Sequence, residues 1–221
     1  MSNTFIQTAL AAAALAFVQQ AGADTITITF DEIGITAGTI LSNQYASLGV
    51  TFSPDAFSGA GSSSSGAHWA TNTGMTVVAS SGPDADVGEL GSPTLVSGNV
   101  LHSLSDWLNE DGDASFRVSF TTPVNFFSAT FAGVYDVADT RLFFFNGATP
   151  LGTVTGAGQS AGQFVLKSGP YADSITSVVV TPGSFYDWVG VDNITFAVPE
   201  PASYATLALG LGLLAFVRRR R

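Results

Sequence analysis

Hydrophobic and polar residues alternate in short bursts along most of this chain. Thr25-Ile26-Thr27-Ile28-Thr29-Phe30 sets Ile26, Ile28 and Phe30 on one face, and Phe116, Val118 and Phe120 alternate with Ser115, Arg117 and Ser119. A period of two over four to eight residues is the pattern of a half-buried strand. Further strands are expected over 49–53, 75–79, 124–133, 141–146, 151–155, 163–167, 175–181 and 188–196. Each is rich in Val, Ile, Thr or Phe and bounded by turn residues. No window between them carries a helical period. About ten short strands without a βαβ rhythm predict an all-β fold, an antiparallel β-sandwich of the jelly-roll kind. Two stretches break the rhythm. Residues 54–74 contain the low-complexity run SGAGSSSSG, and 80–113 are dense in turn residues and acids. The first reads as a loop, the second as a long loop or a short helix.

The two ends follow different patterns. Thr8 to Val18 is apolar and alanine-rich and leads into Ala21-Gly22-Ala23. A short apolar run before small residues spaced A-x-A has the form of a secretory signal helix, cleaved between Ala23 and Asp24. No Lys or Arg precedes the run, so the terminal amine supplies its only positive charge. At the other end, Val198-Pro199-Glu200-Pro201 is followed by an apolar stretch from Ala202 to Val217 and then by Arg218, Arg219, Arg220 and Arg221. As a helix that stretch spans roughly 24 Å at 1.5 Å per residue. This is a little under the ~30 Å of a bilayer core, and snorkelling arginines extend it. The basic cluster behind it predicts a transmembrane helix with a cytoplasmic C-terminus and the body outside. The expected organisation is therefore a signal peptide over 1–23, a β-sandwich over 24–197, and a sorting and anchor segment over 198–221.

Val-Pro-Glu-Pro, an apolar helix with glycines and a terminal arginine cluster together resemble the PEP-CTERM sorting signal. Pro199, Glu200 and Pro201 match its sorting motif, and Arg218 to Arg221 match its basic end. The resemblance implies export, an inner-membrane-anchored precursor, and handling by an exosortase, a membrane transpeptidase acting near Pro-Glu-Pro. It further implies delivery to the cell surface or extracellular matrix, often of bacteria that make extracellular polysaccharide. The same kind of tail is also classed with ice-binding protein C-terminal domains. Ice binding itself needs a long flat threonine array, and Thr25, Thr27 and Thr29 supply one short rung.

Charge sharpens this picture. Of seven basic residues, four are the last four positions, and only Arg117, Arg141 and Lys167 lie upstream. Between Asp24 and Val198 sixteen acidic residues face those three, a formal charge of −13. Such a surface repels phosphate, so nucleic acid is not an expected partner. The chain has no cysteine, which removes disulfides, thiolate metal sites and cysteine nucleophiles.

Catalytic signals are sparse. There is no G-x-S-x-G elbow, and His68 and His102 read as ordinary loop residues, so no enzyme activity is expected. Hard cations fit better, because calcium takes carboxylate and carbonyl oxygens. An EF-hand does not fit: with Gly112 as the turn glycine, Trp107 would occupy the first ligand position. Counting by twos sets Glu32 in phase with Ile26 and Ile28, and Asp192 in phase with Ile194 and Phe196. An acid on a buried face is costly unless paired or metal-bound. If the first and last strands are neighbours, Asp31 or Glu32 approaches Asp192. The segments Phe30-Asp31-Glu32 and Val191-Asp192-Asn193-Ile194 resemble the ends of carbohydrate-binding-module sandwiches, where such acids hold structural calcium. The alternative is that both acids lie at strand ends, or beyond a bulge, and are simply solvated.

Sugar binding would use aromatic platforms, for which Trp69, Trp107, Tyr135, Tyr186 and Trp188 are candidates alongside ordinary packing roles. Asn193-Ile194-Thr195 matches a glycosylation sequon inside an expected strand. Three functional classes follow. They are a surface protein binding polysaccharide or another envelope component, a structural matrix protein without a ligand, and an extracellular glycan hydrolase with a carboxylate pair.

Overall fold

The computed structural model describes residues 24–36, 39–55, 75–79, 95–103, 115–169, 171, 174–182 and 189–198. Thr25–Val198 forms one compact unit, with 1–24 and 199–221 counted apart from it. Twelve strands are found among the described residues: β1 (Asp24–Ile28), β2 (Ile40–Leu41), β3 (Val50–Pro54), β4 (Met75–Ala79), β5 (Asn99–Ser103) and β6 (Phe116–Val124). They continue as β7 (Phe126–Val134), β8 (Arg141–Asn146), β9 (Thr149–Thr155), β10 (Gly162–Lys167), β11 (Ile175–Thr181) and β12 (Gly190–Val198). The helical content among the described residues is a single 3₁₀ turn, Ala46–Leu48. No helix among them is long and apolar enough to cross a membrane, and the expected signal and anchor helices lie outside the described residues.

The expected all-β character holds, with ladders among β2 to β12 that are antiparallel. One sheet runs β10-β7-β12-β5-β4-β2 with β1 also on β12, and the other runs β3-β6-β11-β8-β9. The pairing is nested: β8 with β9, β7 with β10, β6 with β11, and β5 with β12. One long hairpin, bent at the two-residue Gly147-Ala148 loop, generates this order when it is rolled into two layers. Gly147 has φ +57, which suits a glycine in a tight hairpin turn. Nested pairing of this kind puts successive pairs into alternate layers, so each layer buries its apolar face on the other.

Alternation decides which side chains enter the interior. Leu142 and Phe144 of β8 join the core, while Phe143 and Phe145 do not. Likewise Phe127, Ala129 and Phe131 of β7 point inward and Ser128 and Thr130 outward. Aromatic rings hold the layers together. Phe127 of the larger sheet meets Phe120 and Phe144 of the smaller one with ring centroids 6.1 and 6.4 Å apart. Phe120 also lies 5.2 Å from Phe196 on β12. A second aromatic group links Phe30, Tyr45, Phe52 and Phe116, with successive centroids 5.9–6.3 Å apart. These edge-to-face and tilted contacts add to the area that the rings bury.

Several expected boundaries shift. The segment 80–113 contains a strand, since Asn99–Ser103 pairs with β4 and, through Leu101, with β12. That strand carries His102 opposite Thr76, so His102 is a strand residue rather than a loop residue. The strand expected over 124–133 is two, broken at Asn125. Strand β6 runs on to Val124 because the ladder to β11 bulges between Ser119 and Val124, which accommodates Pro123 in a strand. Replacing Phe127 by Ala should cost about 3–5 kcal/mol, because its cavity opens between both layers. Urea unfolding followed by tryptophan fluorescence would show it as a lowered midpoint.

Candidate functional site: an acidic junction and an aromatic–arginine face

The first and last strands are neighbours, which meets the condition for the acids to approach: β1 lies on β12, with Thr27 Oγ1 2.9 Å from Thr195 Oγ1. The same strand also borders β5 at Val191. One edge of β12 therefore serves two partners, and the backbone is irregular where they meet. Phe30 and Asn193 take left-handed φ values of +60° and +49°, and Gly98 takes +71°. Left-handed φ is uncommon for residues other than glycine and marks a conformation imposed by the surroundings. At Gly98 the requirement is double, since a Cβ there would collide with the Asp31 carboxylate.

Asp31, Glu32 and Asp192 all stand at this junction, in different settings. Asp31 accepts the Asn99 N–H at 2.9 Å, while Asn99 Nδ2 donates to the Phe30 carbonyl at 2.9 Å. Glu32 lies in a turn rather than on the β1 face, because Phe30 leaves the strand conformation. Its Oε1 accepts the Thr29 N–H at 2.8 Å, and its Oε2 accepts the Tyr45 hydroxyl at 2.7 Å. Those bonds outweigh burial and hold its carboxyl below the usual range. Burial and the same carboxylate push the Tyr45 hydroxyl up.

Asp192 is buried, with 1% of its surface exposed. Its phase is not the one the sequence suggests. Asp192 faces Thr130 and Thr195 faces Ser128, so β12 holds one extra residue between them. This bulge turns Asp192 to the outward side of the sheet, opposite Ile194 and Phe196. The loop before β5 buries it there. Ser97 N–H donates to Oδ2 at 3.4 Å, Asn193 N–H to Oδ1 at 2.6 Å, and Asn193 Nδ2 to Oδ2 at 3.1 Å. Asn193 Nδ2 also donates to the Leu95 carbonyl at 3.0 Å, which ties the loop to β12. Beneath this loop Val96, Val100 and Ala132 form a small apolar cluster of their own. Burial first, and then the negative charges of Asp31 and Glu32, push the Asp192 carboxyl up to about 6 despite these donors.

For calcium the charges suit and the convergence does not. Among the described residues no three His, Asp or Glu side chains gather closely enough to form a metal cluster. Both Glu32 oxygens already serve Thr29 and Tyr45. The described ion pairs, Arg117–Asp55 and Arg141–Asp139, involve none of the three junction acids.

A second constellation, unmarked in the sequence, lies on the outward face of the smaller sheet. Register sets Ser53, Arg117, Val179, Phe143 and Thr153 in one row across five strands. Arg117 Nε donates to Asp55 at 2.7 Å, its Nη1 donates to Ser177 at 2.8 Å, and its guanidinium lies 5.1 Å from the Phe145 ring centre. Arg141 shares this face, as it pairs with Thr181 and Thr155. Two of the three basic residues of the body therefore stand on one sheet face with two partly buried phenylalanines. Only strand register could reveal this grouping, since Arg117, Phe143 and Val179 are far apart in sequence.

Of the expected sugar-binding aromatics, Tyr135 lies just after β7 and is 70% exposed. Trp69, Trp107, Tyr186 and Trp188 lie outside the described residues, as do Pro199, Glu200, Pro201 and Arg218 to Arg221.

The fold and these surfaces define an all-β domain with an antiparallel sandwich and an acidic strand junction. The class is narrowed by the end of the chain: residues 197–221 match the PEP-CTERM protein-sorting motif. The chain thus carries the signal of an exported protein with a membrane-anchored precursor that is processed toward the cell surface. Among solved structures, the K2 cleaved adhesin domain of Lys-gingipain is similar at 13% identity and TM-score 0.44, covering 78% of this chain and 99% of that one. The Stig cyclase FisC from Fischerella sp. TAU, in complex with (3Z)-3-(1-methyl-2-pyrrolidinylidene)-3H-indole, is similar at 13% identity and TM-score 0.41, covering 80% and 100%. At these scores neither informs on ligand or activity. No curated protein matches the sequence.

The junction should leave a mark on stability against pH in cation-free buffer. The folded Asp192 carboxyl keeps its proton to about 6, against 3.8 for the ordinary group, so protonation favours the fold. This contribution is complete below the ordinary value and is lost as pH rises through 6. It amounts to about 3 kcal/mol, at 1.36 kcal/mol per unit. Melting temperatures of the Asp192→Asn variant should lack the decline that the parent shows across that window.

Proposed function

We propose that this protein is a non-enzymatic envelope component, sorted by an exosortase, whose sandwich binds extracellular polysaccharide. The observation that carries the reading is the PEP-CTERM motif at 197–221 directly behind an acidic β-sandwich. It supports export, membrane retention of the precursor, and transfer to the surface. Mass spectrometry of the mature protein from its own cell tests this. Cleavage after Ala23 and near Pro199 is expected, and an intact tail in the mature form would overturn it.

Polysaccharide binding is supported by the outward face of the smaller sheet. Sugar rings present an apolar C–H face that suits phenylalanine, and vicinal hydroxyls that suit an Arg–Asp pair. Phe143, Phe145, Arg117 and Asp55 offer these groups together. The Arg117→Ala and Phe143→Ala variants should each reduce retention on the cell's own extracellular polysaccharide by roughly tenfold, the size of one lost contact of about 1.4 kcal/mol. Unchanged retention in both variants would favour a purely structural matrix role.

Calcium belongs to this proposal through charge. A cation at the junction would offset the repulsion among Asp31, Glu32 and Asp192. A ligand held only by the folded state raises the melting temperature by mass action. Added calcium should raise the midpoint at neutral pH, and chelator should remove the gain. An unchanged midpoint would exclude the site.

A further inference from the structure

An open β-sandwich leaves strand edges, each a row of N–H and C=O groups without a ladder partner. The two sheets here end on β2, β3, β9 and β10. Strand β2 has only two residues. The edge of β3 is occupied: Phe52 N–H donates to the Ser42 carbonyl at 2.7 Å, and Val50 N–H to the Tyr45 carbonyl at 3.2 Å. Strand β10 is bent by a bulge between Gly162 and Phe164 and carries Lys167. Strand β9 has seven residues, no charged side chain and, among the described residues, no ladder partner beyond β8.

Register decides which of its backbone groups stay free. Gly156 N–H donates to the Thr140 carbonyl at 2.9 Å, and Thr155, Val154 and Thr153 face Arg141, Leu142 and Phe143. Antiparallel pairs exchange hydrogen bonds at every second position. Gly156 and Val154 therefore bond to β8, while the N–H and C=O of Thr153 and Thr155 point to the open edge. The free stretch is bounded on both sides. Toward the hairpin, Pro150 lacks an N–H, and the register shift opposite Phe144 and Phe145 leaves Leu151 in a bulge. Toward β10, Ala157 N–H turns back to Thr155 Oγ1, and Gln159 N–H closes a turn on the Gly156 carbonyl at 2.9 Å.

We infer that this edge pairs with the same edge of a second copy of the chain, antiparallel about a two-fold axis at Val154. That register joins Thr153 of each copy to Thr155 of the other and uses every free group in four hydrogen bonds. An axis at Thr153 or Thr155 would instead bring the other threonine against the bulge at Leu151 or the turn at Ala157. The side chains agree with the axis at Val154. Thr153 and Thr155 of opposite copies become a facing pair, which favours a sheet, on the outward side. The two Val154 side chains meet on the inward side, where each is partly buried against its own core. An identical strand is thus the match in backbone and side chain alike, as an isologous contact requires. The body's formal charge of −13 opposes association, and β9 contributes nothing to it. So small a contact belongs to the weak class and forms where copies are crowded. The pairing does not depend on the polysaccharide reading, but it adds to it. The seam sets Arg141 and Phe143 of both copies on one ten-stranded face, so a repeating polymer would meet each group twice.

The test uses the full-length protein in its own cells under mild oxidant. The chain has no cysteine, so Thr153→Cys and Thr155→Cys each introduce its only thiol. Facing residues of a hydrogen-bonded pair have Cα atoms about 5.5 Å apart, within reach of a disulfide. The same residue in two copies lies diagonally, at roughly 7–8 Å, which is too far. Cells producing both variants together should yield at least about tenfold more covalent dimer than cells producing either alone. Equal yields from all three, or no dimer in any, overturn the pairing. A bridge to a different protein in place of the dimer overturns it as well and gives the edge to a foreign strand. Sedimentation of the purified full chain in detergent supplies a second measurement. The Thr153→Lys/Thr155→Lys variant sets like charges opposite each other and should weaken dimer formation by roughly tenfold, while unchanged association also overturns the proposal. Polysaccharide retention enters neither readout, so failure of that reading is seen separately.

Discussion

One edge of β12 has to pair with two strands, and much of the structure follows from that constraint. Strand β1 occupies the edge beside Thr195 and β5 occupies it beside Val191. Neither can continue into the space of the other. Phe30 turns β1 away, Asn193 bulges β12, and Gly98 lets the incoming loop pass against Asp31. The backbone donors left without a ladder at this point are taken up by carboxylates: Asn99 by Asp31, Ser97 and Asn193 by Asp192, and Thr29 by Glu32. Three acids are gathered in one place because three irregular backbone segments meet there. Buried donors must be satisfied, and carboxylates satisfy them strongly.

That solution has an electrostatic consequence. A carboxylate that accepts N–H groups ordinarily holds its negative charge easily. At Asp192 burial and two like charges prevail, and the group holds its proton to about 6. Glu32 has similar partners but lies nearer solvent, and its shift has the opposite sign. The contrast gives the proposed cation its rationale. A bound positive charge would offset the cost of the ionised Asp192 above pH 6, with its three hydrogen bonds kept.

The opposite end of β12 concerns export. The strand that closes the sandwich is also the strand that leads into the sorting motif. On the remaining surface, the outward face of the smaller sheet departs from the acidic background by presenting Arg117 and Arg141 beside Phe143 and Phe145. An outward sheet face is ordinarily polar, so these rings stand apart from the expected alternation.

The sequence by itself determined the tail, because Pro199-Glu200-Pro201, the apolar run and the four arginines are contiguous and need no folding to be read. It determined the all-β class as well, since a period of two is a local property that survives in Ile26, Ile28 and Phe30 and in Phe116, Val118 and Phe120. It allowed Asp31 or Glu32 to approach Asp192 only on the condition that the first and last strands are neighbours, which the tertiary structure decided, and it set Glu32 and Asp192 on the wrong face. A bulge changes the phase of a strand without altering its composition, and only the register of β12 on β7 revealed the one at Asn193. Strand β5 was missed within an acidic, turn-rich segment because its strand character comes from its partners β4 and β12 rather than from its own residues. The Arg117 face was decided by tertiary structure alone. Register sets the neighbours across a sheet, and no local pattern along the chain encodes which distant strand lies alongside.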